Sequence, residues 1–141
     1  MTAPIYLHLL RKSGRPVMGM YVIKAAPDRD LYMEWDTRVD APTFIGTRAE
    51  VVAYLEQVTG RGPSDTPEAR VRRADETGTS AKPSPWAPGY TGPLEGAWDD
   101  TGFIVEGQMW LPRDRIAKFL DTYLRTEQMP YALLDDLRSD S

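Results

Sequence analysis

LYMEWDTRVDAPTFIGTRAEVVAYLEQVTG, residues Leu31 to Gly60, carries the two periodicities that decide the fold. Leu31, Met33, Trp35 and Thr37 alternate with Tyr32, Glu34 and Asp36, the period-two pattern of a strand with one face buried and the other wet. A short strand around Thr43 to Gly46 follows. The period then changes to that of a helix. Thr47 and Glu50 have the spacing of a capping box, in which each side chain accepts from an otherwise orphan amide. Val51, Val52, Leu55 and Val58 form one apolar stripe, and Gly60 supplies the stop.

Upstream, the apolar run Ile5 to Leu10, the turn cluster Lys12 to Pro16 and a second run from Val17 to Ala25 read as a β-hairpin. In the second run Val17, Tyr21 and Ile23 fall on one face and Met18, Met20 and Val22 on the other, as expected for a central, doubly covered strand. Pro27 to Asp30 form a further turn.

Downstream, glycine and proline fill 12 of the 37 positions from 60 to 96, too many for continuous helix or central strand. A charged helix from Pro67 to Thr77 is expected inside this stretch, with Asp65 or Thr66 as its cap and Gly78 beyond its end. A hairpin is expected next, Leu94 to Trp98 with Phe103 to Leu111, joined by Asp99 to Gly102. Pro112 opens a helix with Ile116, Ala117, Phe119, Leu120, Tyr123 and Leu124 on its apolar side. A last short helix spans Tyr131 to Leu137.

Together these elements predict an α+β fold and a single domain over 1–141. The expected architecture is one antiparallel sheet of five or six strands, with the Arg48 and Pro112 helices packed on one face and a long Gly/Pro-rich connection at 60–96.

Composition narrows the chemistry. The chain has no cysteine, which removes thiolate nucleophiles, disulfides and thiolate metal sites. Its one histidine, His8, cannot supply a two-histidine metal centre within one chain. A net charge of −4, from 17 basic and 21 acidic residues, argues against non-specific nucleic-acid binding. Ala3 to Leu10 is followed by Arg11 and Lys12, the reverse of an export signal's charge order, so the expected location is the cytoplasm. Arginine outnumbers lysine and asparagine is absent, a bias that points to a GC-rich bacterial or phage genome.

Glu34 and Asp36 share a strand face, and carboxylates so placed suit a hard divalent cation; the competing reading is a solvated face. Asp99 and Asp100, just before Thr101-Gly102, read as a turn bonding its own backbone. His8 sits among apolar neighbours, with no serine or carboxylate placed to complete a triad. Arg70, Arg72 and Arg73 form a basic cluster, but Asp65, Glu68, Asp75 and Glu76 interleave with it, as ion pairing along a helix requires. Trp86 and Tyr90, in Pro-Ser-Pro-Trp-Ala-Pro-Gly-Tyr, either fold back as a lid or are displayed as contact anchors.

The functional expectation is a non-enzymatic interaction or accessory module without a cofactor. It would bind another protein through Trp86, Tyr90, Arg70 and Arg73. The alternatives are a divalent-metal-dependent hydrolase or nuclease using Glu34 and Asp36, and a nucleic-acid-binding accessory protein.

Overall fold

The computed structural model describes residues 20–58, 65–83 and 88–136. His8, Trp86 and the Ile5 to Leu10 arm of the expected hairpin lie outside them. Strands β1 (Met20–Lys24), β2 (Tyr32–Asp36) and β3 (Ala41–Gly46) form an antiparallel sheet in the order β1-β2-β3. Strands β4 (Gly102–Val105), β5 (Met109–Pro112) and β6 (Asp135–Asp136) form a second antiparallel sheet in that order. Helices α1 (Arg48–Val58), α2 (Pro67–Thr77) and α3 (Ile116–Thr126) complete the architecture.

The α+β class therefore holds, but the single five- or six-stranded sheet does not. Among the described residues the strands divide three and three, and there are three α-helices. The helices also do not share one face. Ile23, Met33 and Trp35 pack with Phe103, Val105 and Leu111 of the second sheet and with Ile116, Phe119 and Leu120 of α3. Val22 and Tyr32, which point the opposite way along their strands, pack with Val51 and Leu55 of α1 and with Val71 and Ala74 of α2. The first sheet is thus covered on both faces, and every residue of β2 is buried.

The capping box at α1 forms as its spacing requires. The Thr47 amide donates to Glu50 Oε1 (2.8 Å) and the Glu50 amide to Thr47 Oγ1 (3.2 Å). α2 has the expected limits, with Thr66 Oγ1 accepting from the Ala69 amide (3.1 Å) and Gly78 closing the helix at φ 97°.

The central, doubly covered strand expected at Val17 to Ala25 is β1; both its faces are occupied, but it is an edge strand among the described residues, not a central one. Its outer edge is engaged by the segment after α2 and not by a further strand of the sheet. Ser80 N donates to Val22 O (2.8 Å), Lys24 N donates to Gly78 O (3.0 Å), and Arg70 Nη2 reaches Met20 O (3.3 Å).

Three further expectations are corrected. The hairpin spans Gly102 to Pro112, with its turn inside the expected single strand Phe103 to Leu111: β4 pairs β5 across Glu106 and Gly107, both at positive φ, with Gln108 N donating to Val105 O (3.2 Å). Two positive-φ central residues match the twist of the flanking strands, so the turn falls there and not at Asp99 to Gly102. The last element is a one-turn 3-10 helix, Tyr131–Leu133, leading into β6, because the chain returns to pair Asp135 and Asp136 with β5. Leu124 is half-exposed, not part of the buried stripe of α3.

The helices are anchored unequally. Each large side chain fully removed from water contributes about 1.5–3 kcal/mol. α3 commits Ile116, Phe119 and Leu120 in this way, whereas α2 commits only Val71 and an alanine.

Candidate functional site

Tyr90 is the aromatic residue most exposed to solvent among the described residues, at 60%. It follows the exposed turn residues Pro88 and Gly89. Tyr90 Oη donates to Pro93 O (2.8 Å). The phenol end lies so close to Gly92 that a methyl group added there would run into it. The side chain is not folded back onto the core.

Arg70 and Arg73 are turned inward. Arg73 makes a bidentate fork to Asp65 (Nη1–Oδ1 2.8 Å, Nη2–Oδ2 3.0 Å) and donates through Nε to Ser80 O (3.0 Å). Arg70 caps the Met20 carbonyl of β1. Of the interleaved acids, Glu68 and Asp75 pair with Arg48 of α1 and Asp65 pairs with Arg73, none of them as a one-turn pair along the helix. Of the three arginines only Arg72 is exposed. The Arg73 guanidinium holds the Asp65 carboxyl below the usual carboxylate range. A carboxyl depressed in the folded state stabilises above its unfolded value and loses that contribution as pH falls through its folded value. The side chain is 37% exposed, so screening keeps the effect small. Asp65→Asn is expected to cost less than about 1 kcal/mol at neutral pH, a difference that shrinks as pH falls toward and through the lowered folded-state value of Asp65, as measured by urea unfolding at neutral and progressively lower pH.

Glu34 and Asp36 do share a face of β2, but that face is covered and not wet. Glu34 is 1% exposed and Asp36 4%. Phe44 of β3 faces Glu34 while Pro42 faces Trp35, so Thr43 is the extra residue of a β-bulge. The bulge brings Thr43 Oγ1 to Glu34 Oε1 (2.8 Å), and Tyr54 Oη, from α1, donates to the same oxygen (2.9 Å). Phe44 stacks on the Tyr54 ring at 4.2 Å, which fixes the phenol in place. Asp36 is enclosed by Arg38, which donates from its amide (2.8 Å), Nε (3.1 Å) and Nη2 (2.9 Å). Each carboxylate therefore already has protein donors. Among the described residues no group of three or more histidine, aspartate or glutamate side chains is placed to hold a metal ion.

A second polar cluster centres on Asp75. It accepts from Tyr32 Oη and from Arg48 Nε (2.9 Å), and Lys24 Nζ stands 3.9 Å away. Arg48 also forks onto Glu68 (Nη2–Oε2 2.9 Å). Burial, reinforced by Asp75, pushes the Tyr32 phenol well above its ordinary value. Burial and then the Glu34 carboxylate do the same to Tyr54. At neutral pH both phenols are hydrogen-bond donors, not bases or nucleophiles.

Asp100 plays the turn role its sequence context implies, accepting from Gly96 N (2.8 Å) and Thr101 N (2.9 Å). Arg113 went unremarked in the sequence, where an arginine just after Pro112 resembles an ordinary exposed first-turn residue. It is buried and bonds four carbonyl oxygens: Gly96 (2.9 Å) and Ala97 (3.2 Å) through Nε, Ala25 (3.1 Å) through Nη1 and Lys24 (2.7 Å) through Nη2. Its guanidinium lies 4.8 Å from the Trp98 ring centroid. Burial pushes the group down to about 10, so it stays charged at neutral pH.

No family model, curated protein or solved structure matches the chain. No helix among the described residues is long and apolar enough to cross a membrane.

Proposed function

We propose that this chain is a cytoplasmic, non-enzymatic interaction module that binds another protein through the exposed turn around Tyr90. The observation that carries this reading is a large aromatic side chain that is exposed and yet hydrogen-bonded to its own turn. Large aromatics with few rotamers to lose are the anchors from which interface hot spots are built. The bond from Tyr90 Oη to Pro93 O and the close approach of the phenol to Gly92 support this reading by favouring one rotamer. The polar clusters elsewhere support the same reading: Glu34 and Arg113 are engaged in holding separate elements together, and Asp36 is engaged by Arg38 in the turn after β2.

A set of three variants tests the site. Tyr90→Ala removes the anchor and Gly92→Ala displaces it. Gly89→Ala changes the same turn where an added methyl meets no atom within 4 Å. Tyr90→Ala and Gly92→Ala are expected to weaken capture of the native-host partner at least about tenfold, the size of a hot-spot truncation, and Gly89→Ala to leave it unchanged. Capture by Tyr90→Ala equal to that by the unmodified chain would place the interface elsewhere.

A further inference from the structure

The two ends of α2 are held by different kinds of interaction. Beyond its C-terminal end, Gly78 O accepts from Lys24 N, and Ser80 N donates to Val22 O. Val22 N in turn donates to Ser80 Oγ (2.8 Å). Thr79 and Ser80 are buried, so these neutral bonds are closed to solvent ions. Trp98 N adds a further bond to Thr77 O (2.9 Å).

The body of the helix is attached mainly through charge. Arg48 of α1 bridges Glu68 and Asp75, and Lys24 of β1 approaches Asp75, while Arg73 pairs with Asp65 within the α2 segment itself. Lys82 reaches the same Asp65 at 4.0 Å. The side chains of the Arg48–Glu68 pair are 35% and 49% exposed, well within reach of screening by salt. Under these bonds lies an apolar face formed by Val22, Tyr32, Val51 and Leu55, and α2 closes it with Val71 and Ala74 alone.

We propose that α2 is a salt-releasable strap. Screening its ion pairs lifts the helix off the first sheet and uncovers that apolar face. Gly78 to Ser80 stay bonded to β1, and the core shared with α3 stays folded. Segments with few buried apolar contacts and many solvent-facing polar bonds are the ones that open first in folded proteins. Here the segment also carries the bonds that salt weakens. Each pair is worth little alone, but Arg48 and Asp75 join several, so they weaken together.

Amide hydrogen exchange on the full chain tests this, comparing about 0.01 M with about 1 M sodium chloride, between which the screening length falls from about 30 to about 3 Å. The Val71 and Ala74 amides are expected to exchange about tenfold faster at high salt, while Phe119, Leu120 and Ser80 change less than about twofold. Arg48→Gln should show the fast Val71 and Ala74 exchange already at low salt. If Arg48→Gln does not fold, Glu68→Gln, which removes only the outer fork, takes its place with the same expectation. Val71 and Ala74 rates unmoved by salt would overturn the proposal. So would an equal acceleration at Phe119, which would mean that the whole molecule opens as one unit.

Discussion

Arg113→Ala is expected to destabilise the protein by about 3–5 kcal/mol, the range for removing one partner from a buried charged group's bonds. The side chain ties together the end of β1 (Lys24 and Ala25) and the turn at Gly96 and Ala97, and its own amide donates to Thr101 O (2.9 Å). Truncation leaves buried carbonyl oxygens without donors and opens a void beside Trp98. Arg113→Lys should recover only part of the loss, because an ammonium cannot span acceptors arranged for a planar fork. Arg115, two residues on, pairs with Asp135 at an exposed position. Arg115→Ala should therefore cost less than about 1 kcal/mol. The readout is the urea midpoint at unchanged slope. An Arg113→Ala midpoint close to that of Arg115→Ala would show that the bracing is unimportant.

Glu34→Ala is expected to cost about 2–4 kcal/mol, since it removes the acceptor of the half-buried Tyr54 hydroxyl and leaves a cavity between β2 and α1. Glu34→Gln keeps an acceptor oxygen in nearly the same volume and should stay within about 1 kcal/mol of the unmodified protein. Glu56→Ala, on the exposed side of α1, is the control, expected within about 0.5 kcal/mol. A solvated strand face would predict that Glu34→Ala behaves like Glu56→Ala. That result would contradict the burial described for β2.

Glu34 also shows where reading the sequence reaches its limit. Its alternation with Met33 and Trp35 assigns it to the second face of β2 correctly, and a polar residue on an alternating strand ordinarily marks a wet face. The cover comes from α1 and from α2, whose Val71 and Ala74 lie more than 30 residues downstream. Nothing in LYMEWDT encodes that arrival. The Thr43 bulge was hidden in the same way, because it exists only in the register between two strands.

The candidate site divides similarly. The Pro/Gly surroundings of Tyr90 allowed a side chain folded onto the core as readily as an exposed one, and its exposure is set by where the 88–93 turn lies on the fold. Arg70 and Arg73 looked like a basic surface, and their inward turn depends on Met20, Asp65 and Ser80 being brought alongside α2.

By itself the sequence determined what is settled within a few residues: the capping box at Thr47 and Glu50, the limits of α2 between Thr66 and Gly78, the strand at Tyr32 to Asp36 and the α+β class. These follow from local backbone preferences and from side chains bonding amides one turn away. Only the tertiary structure decided that the strands form two sheets, that α1 and α3 cover opposite faces of the first, and that Arg113 is buried. Those outcomes depend on contacts such as Arg113 to Ala25, 88 residues apart in the chain. Their energy comes from burying groups together in space, and the order of residues along a strand or helix does not record it.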